Sequence, residues 1–166
     1  MSYAILSTKT DIETPETGIE AKRQLATALT GVLADSFVLM IKSQGYHWNV
    51  VGPLFQPIHD MTQVQYRDLF DAIDVIAERI RALGQVAPGS FTDLIAHAEI
   101  DEETRLRSAG EMVTRLVEDH ETIARRFRKL SGLAAEAGDG ATEDLSNARI
   151  AFHEKSAWML CAIVAE

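Results

Sequence analysis

Five histidines and 25 acidic residues are the main chemical resources of this 166-residue chain. Two of the histidines stand with carboxylates in a pattern that suits a metal ion. At 100° per residue, His59, Gln63, Asp74 and Glu78 fall on one helical stripe, at about 0°, 40°, 60° and 100°. Imidazole and carboxylate are the donors that borderline divalent cations take. The axial spacing then decides how the stripe is used. Asp74 lies 15 residues beyond His59, about 22 Å along a helix rising 1.5 Å per residue. Metal–ligand bonds of this kind are only about 2.0–2.2 Å. One chain therefore cannot place both ends of the stripe on one ion. Two antiparallel copies across a two-fold axis can, and they form the site twice per dimer. His47 is in phase with the apolar stripe that includes Leu25, and a tight turn from Asn49 to Pro53 returns the chain so that His47 meets His59. A plainer reading uses the same residues. The histidines are hydrogen-bonded core residues, and Asp74 (near Arg81) and Glu78 (near Arg79) form a solvated face. Spacing alone leaves both readings open.

A carboxylate-bridged di-iron centre inside one bundle is disfavoured, because it needs Glu-x-x-His on two helices. The residues three before the five histidines are Gln44, Gln56, Leu94, Val117 and Ile150. His120 sits between Leu116 and Ile123 in helical phase and reads as core. His97 and His153 read as structural. The single Cys161, among Trp158, Leu160 and Ile163, reads as a buried, inert thiol.

The elements that must position these groups are helical. Apolar residues recur at helical spacing, and alternating β-branched runs are absent. Breakers at Gly52-Pro53, Gly84 through Gly89 and Gly132 through Gly140 divide the chain into four long segments. Segment A runs from about Ile19 to His47, B from Phe55 to Leu83, C from Asp101 to Ser131, and D from Thr142 onward. The apolar stripe of A includes Leu29, Leu33 and Phe37. That of C includes Leu106, Val113, Leu116 and Phe127. Between B and C, Ser90 to Ala98 suggests a short helix capped by Ser90 and pinned by Phe91, Leu94 and Ile95. A crossover that long lets C start at the far end from where B stops. The expected fold is therefore all-α, a ferritin-like four-helix bundle over residues 19–166 with a short extra helix in the B–C crossover. Residues 1–18 read as an acidic arm.

Composition removes several function classes. With 16 basic against 25 acidic residues, the net charge is −9, which disfavours an open nucleic-acid surface. One cysteine excludes an internal disulfide and suits a reducing compartment. No apolar run reaches the roughly 20 residues of a membrane span, and the longest, Trp158 to Ala165, suits a buried terminal helix. The N-terminus lacks the pattern of a secretory signal. The expectation is a soluble intracellular protein.

The block from Lys42 to Phe55, centred on His47-Trp48-Asn49-Val50, is followed by His59 and then by Asp74-x-x-x-Glu78-Arg79 running to Gly84. This pattern resembles the Dps family, the DNA-binding proteins from starved cells, or mini-ferritins. Asp139, Thr142, Asp144, Arg149, His153-Glu154-Lys155 and Trp158-Met159-Leu160 resemble that family's last helix. The resemblance implies a bacterial cytoplasmic, nucleoid-associated homo-oligomer, a dodecameric shell of four-helix subunits with metal sites at its two-fold interfaces. It implies a ferroxidase that oxidises Fe(II) to Fe(III), preferentially with hydrogen peroxide, and stores the ferric mineral, so protecting DNA. By motif, His47 and His59 are the metal ligands from one subunit, and Asp74 and Glu78 those from the other. Trp48 is the aromatic beside the centre. Asp139, Glu143 and Asp144 match the acids of the three-fold pores. One position departs. Where the family commonly has an acidic ligand, four residues after the second histidine, this chain has Gln63, a weaker donor. The family's Lys-rich DNA-binding tail is also missing, so DNA binding is expected to be weak. The competing functions are a DNA-compacting structural protein and a shell with a non-redox metal site.

Overall fold

The structure is a computed structural model that describes residues 16–165. Most of the acidic arm expected over residues 1–18 lies outside the described residues. Five helices are present: α1 (Lys22–Asn49), α2 (Phe55–Ala82), α3 (Phe91–His97), α4 (Ala109–Glu136) and α5 (Gly140–Ile163). Among the described residues there is no strand. The fold is the all-α bundle that the periodicity implies.

Local chemistry sets the helix ends. Pro57 occupies the first turn of α2, where a missing N–H costs nothing and φ is already helical. Gly84 after α2 and Gly138 after α4 adopt φ of 80° and 69°. Their N–H groups, and those of the residues after them, return to the last carbonyls of each helix, a termination that needs a left-handed residue. Ser90 caps α3 as expected. Helix α4 begins at Ala109 rather than near Asp101. Ser108 and Glu111 form a reciprocal capping box, which fixes the start. The preceding residues are held in another conformation: Glu103 accepts from the Tyr46 hydroxyl and from Arg107 Nε, each at 2.9 Å.

Ion pairs reveal how the helices run. Asp35 and Lys42 of α1 pair with Arg126 and Asp119 of α4, so residue numbers rise in opposite directions. Asp68 and Arg79 of α2 pair in the same antiparallel sense with Arg149 and Asp139. Hence α2 and α4 run in the same direction, and the crossover must travel back along the bundle. Asp35, fully buried, holds that crossover. One carboxylate oxygen accepts the N–H groups of Glu99 and Ile100 at 2.7 and 3.2 Å, and the other accepts from Arg126 at 2.6 Å.

The core between the helices includes Leu29, Leu33, Ile76, Leu116 and Phe127, all fully buried. By length and composition α1 is apolar enough to cross a membrane, but 61% of its apolar stretch is buried in the bundle. Several expectations fail at the margins. Leu106 is 82% exposed because it precedes the capped start of α4, and of the three α3 anchors only Leu94 is buried. Phe91, Ile95 and Leu106 instead rim an open cavity of about 380 Å³ between α1, α3 and the crossover. The terminal segment is not buried in the chain: Trp158 is 68% exposed and Cys161 is exposed. The stripe of α5 that faces the core passes through His153, Ala157 and Leu160, which turns Trp158 and Cys161 outward.

His120 and His153 meet between α4 and α5, with Nδ1 to Nδ1 at 2.9 Å and both side chains fully buried. One ring donates and the other accepts, and burial disfavours a charge on either. Burial, with Arg149 adding to it, lowers His120 to about 3 and His153 well below its ordinary value. The unfolded chain therefore binds more protons as pH drops below about 6.5. Stability is full above that pH and falls by about 1.4 kcal/mol per unit and per histidine on acidification, until the folded pKa is reached. Urea unfolding at pH 6.5 and pH 5 is expected to show this loss, and H120Q to reduce the slope.

A second prediction concerns Gly31 in α1. A Cβ there would stand 1.9 Å from Arg126 Nη2, on the guanidinium that neutralises buried Asp35. Helix propensity favours alanine over glycine by about 1 kcal/mol. G31A is nevertheless expected to destabilise by about 1–3 kcal/mol, because it displaces the partner of a buried charge. Thermal unfolding of the variant reads the sign.

Candidate metal centre

The hairpin between α1 and α2 brings His47 and His59 together, as the turn at Gly52-Pro53 implies. Their rings stack with centroids 3.8 Å apart and planes 18° from parallel. The hydrogen bonds are reciprocal. His47 Nδ1–H donates to the carbonyl of His59 at 2.8 Å, and His59 Nδ1–H donates to the carbonyl of His47 at 2.9 Å. A carbonyl can only accept, so each ring must carry a proton on Nδ1. In the neutral ring this leaves the lone pair on Nε2, the form in which imidazole binds a metal. The backbone thus selects the tautomer of both rings and fixes their orientation.

Aromatic side chains wall the pair. Phe55 stacks on His59 at 4.9 Å, and Tyr66 meets His47 edge-on at 5.4 Å. The sequence reading assigned neither of them to the site. The signal was there, since Phe55 and Tyr66 lie four residues before and seven after His59, on its own face. His47 is buried and His59 half-buried, while Trp48, next to His47 in sequence, is 68% exposed and lines the cavity between α1, α3 and the crossover.

The carboxylates of the stripe lie elsewhere. Asp74 and Glu78 are exposed in the last third of α2. Among the described residues, no cluster of three His, Cys, Asp or Glu side chains forms within one chain. The axial rise of a straight helix keeps His59 and Asp74 apart, as its arithmetic requires. Asp74 and Glu78 are exposed, as the plainer reading of a solvated face has them, but the neighbouring arginines are engaged elsewhere. Arg79 bonds Asp139 and Thr142 instead, and Arg81 donates to the carbonyl of Gln85. Neither Asp74 nor Glu78 has an ion-pair partner among the described residues. Apolar Phe70, at about 20° on the same stripe, is 66% exposed beside them.

Gln63, the weak member of the stripe, has a partner of its own. With its amide turned so that an acceptor faces donors, the oxygen receives Arg67 Nη1 at 3.1 Å and Nη2 at 3.0 Å.

The candidate pore acids divide. Asp139 is 1% exposed and caps α5 by accepting the Thr142 N–H at 3.0 Å. It also accepts Arg79 Nη2 at 2.6 Å. Burial raises its pKa, but the bonds from Arg79 and Thr142 outweigh it, and the carboxyl stays below its ordinary value. Committed to the helix cap and to Arg79, it is not a free pore carboxylate. Glu143, in the first turn of α5, is half-buried, and Asp144 next to it is exposed.

The model of the ferritin-like domain matches residues 26–166 of this chain. A low temperature-induced protein of Nostoc sp. is 36% identical over 147 residues, covering 87% of this chain and 82% of that protein. The DNA protection during starvation protein of Brevibacillus brevis is 34% identical, covering 84% and 94% respectively. The crystal structure of the DPS protein from Vibrio cholerae superposes with a TM-score of 0.83 at 33% identity, covering 87% of this chain and 91% of that one. That protein is described as a member of a broad superfamily of ferritin-like diiron-carboxylate proteins. A matched domain spanning nearly the whole bundle, relatives of matching length and the shared helical fold lead to one conclusion: the chain belongs to the ferritin-like proteins and, among them, to the Dps family.

Proposed function

We propose that this protein stores and detoxifies iron as a ferroxidase, with its centre shared between two-fold related subunits. The observation that carries the reading is the split of the metal donors. His47 and His59 present two imidazoles with their tautomers fixed by backbone carbonyls. Asp74 and Glu78 present two unpaired carboxylates on the same stripe, about 22 Å away. Two α2 helices packed antiparallel join each half to the other half of a second copy. The exposed side chains of Val64, Phe70 and Val75 on α2, together with Trp48, supply apolar surface for that packing.

Fe(II) is the substrate. The imidazoles and carboxylates hold it, and the carboxylate charges favour the ferric product electrostatically. With hydrogen peroxide as oxidant, two Fe(II) give up one electron each, the O–O bond breaks, and two protons complete two waters. Electron transfer in pairs avoids release of hydroxyl radical. Tyr66, edge-on to His47, and Trp48, next to His47 in sequence, are oxidisable groups that shield the centre. Fe(II) enters by way of Glu143 and Asp144, and the ferric product collects inside a shell of twelve subunits. The protein acts in the cytoplasm. DNA is protected by removal of iron and peroxide rather than by tight binding, because a chain of net charge −9 repels phosphate.

Three measurements test this. Anaerobic Fe(II) loading followed by a peroxide pulse is expected to consume two Fe(II) per peroxide, with the iron co-migrating with a large shell. No acceleration over protein-free iron overturns the proposal. H59A and D74N are each expected to lose oxidation at least about a hundredfold, as loss of a metal-site residue commonly does. Reassembled from equal amounts of both variants, the shell is expected to recover about a quarter of the wild-type rate. Half of random dimers are then mixed, and each mixed dimer regenerates one intact centre of two. Intact mixed shells without recovery exclude a shared centre.

A further inference from the structure

His59 is held differently from His47, and the following inference rests on reading the two as a metal centre. His47 is buried, whereas His59 is half-buried at the bundle surface. Among the described residues the His59 ring makes one hydrogen bond, from Nδ1–H to the carbonyl of His47 at 2.9 Å. A single bond leaves a ring free to pivot about it.

Stacking supplies the remaining constraint. The His47 ring lies 3.8 Å from that of His59, with planes 18° apart. The Phe55 ring lies 4.9 Å from His59, with planes 26° apart. Among the described residues Phe55 makes a ring contact with His59 and none with His47. Two rings that stack on a third without meeting each other take its opposite faces. With Nδ1 engaged and both faces covered, the edge carrying Nε2 is what His59 has left to offer a metal.

The chain fixes Phe55 by its backbone. It is the first residue of α2, and its N–H donates to the carbonyl of Gly52 at 3.0 Å. Gly52 takes φ of 96°, a conformation that glycine adopts without a Cβ penalty. Phe55 then stands four residues before His59, on the same helix face. It falls at about −40° relative to His59, on the flank away from Asp74 at 60° and Glu78 at 100°. Carboxylates of a second copy therefore approach the imidazole without meeting it. Phe55 is 41% exposed and lies outside the core cluster, so the core does not account for its place.

We propose that Phe55 is a positioning residue of the centre, a clamp on the outer face of His59 that keeps the imidazole in the orientation that receives the ion. It touches no iron and carries no electron. It acts through His59, by raising the fraction of centres that are ready to bind. A stacked aromatic pair shifts an equilibrium by a factor of about two to ten beyond the area it buries. Apparent affinity falls in proportion to the fraction that is competent.

The test is anaerobic titration of the assembled protein with Co²⁺, whose visible absorption reports its ligands. Absorption that H59A removes is scored as binding at the centre. F55L keeps an apolar cover without a flat ring, and its Co²⁺ affinity is expected to be about two- to tenfold weaker. F55Y keeps the ring and is expected to match the wild type. In iron oxidation, the half-saturating Fe(II) concentration of F55L is expected to rise by the same factor at an unchanged maximal rate. Shell size and helicity are expected to stay unchanged, and F55M gives the same comparison if F55L fails to assemble. Wild-type affinity in intact F55L overturns the inference and leaves the centre standing. An equal loss in F55Y overturns it too, as does a lower maximal rate at unchanged affinity. Absorption that H59A leaves intact overturns the centre itself, and the inference falls with it.

Discussion

Charge and polarity buried at one level of the bundle tie all four long helices together. Lys42 of α1 pairs with Asp119 of α4 at 2.6 Å, and the adjacent His120 bonds His153 of α5 at 2.9 Å. One turn from His153, Arg149 reaches Asp68 of α2 and lies over the ring of Phe152. Apolar side chains tolerate sliding and substitution, but a buried charge that loses its partner costs several kcal/mol. The belt therefore fixes the axial register of each helix against its neighbours. Everything described at the hairpin end follows from that register, because a slip of one turn moves a side chain by about 5.4 Å.

The second fixed point is the exchange of hydrogen bonds between His47 and His59. Each ring reads the backbone of the other helix, so the two imidazoles are positioned by main chain rather than by mobile side chains. This arrangement is preorganised: the tautomer and ring plane are set before any ion arrives. The carboxylate half of the stripe has no such support. Asp74 and Glu78 stand free on the surface of α2 with apolar Phe70 and Val75 nearby, a composition that suits contact with another protein surface better than isolated exposure to water. Arg67 and Gln63 lie between these halves and give the stripe a charge pattern that its carboxylates alone do not have.

Charge elsewhere serves structure. Asp35 anchors the long crossover, and Asp139 ends one hairpin turn and begins α5. Both were acidic residues available for chemistry on composition alone. Burial and neighbouring guanidinium groups commit them to the fold. Other acids, Asp71, Asp101 and Glu102 among them, are also exposed, so what distinguishes Asp74 and Glu78 is their place on the helical stripe of His59.

Much of this was legible in the sequence. Helical periodicity, breakers at Gly52-Pro53, Gly84 and Gly138, and the long crossover were enough for an all-α bundle, because a helix buries its apolar stripe whatever its neighbours are. The 22 Å between His59 and Asp74 follows from helix rise and residue number alone. Motif and spacing together singled out His47, His59, Asp74 and Glu78. What the sequence could not determine depends on partners distant in the chain. The exposure of Cys161 and Trp158 was set by which face of α5 met α4. The conformation of the residues before α4 was set by Glu103 finding Tyr46. The commitment of Asp139 to Arg79 and the pairing of His120 with His153 link residues 60 and 33 apart. The tautomers at His47 and His59 are likewise choices among several local partners. Periodicity is a property of one helix and can be read from one helix. A hydrogen bond between helices depends on their relative register, and only the packed bundle decides that.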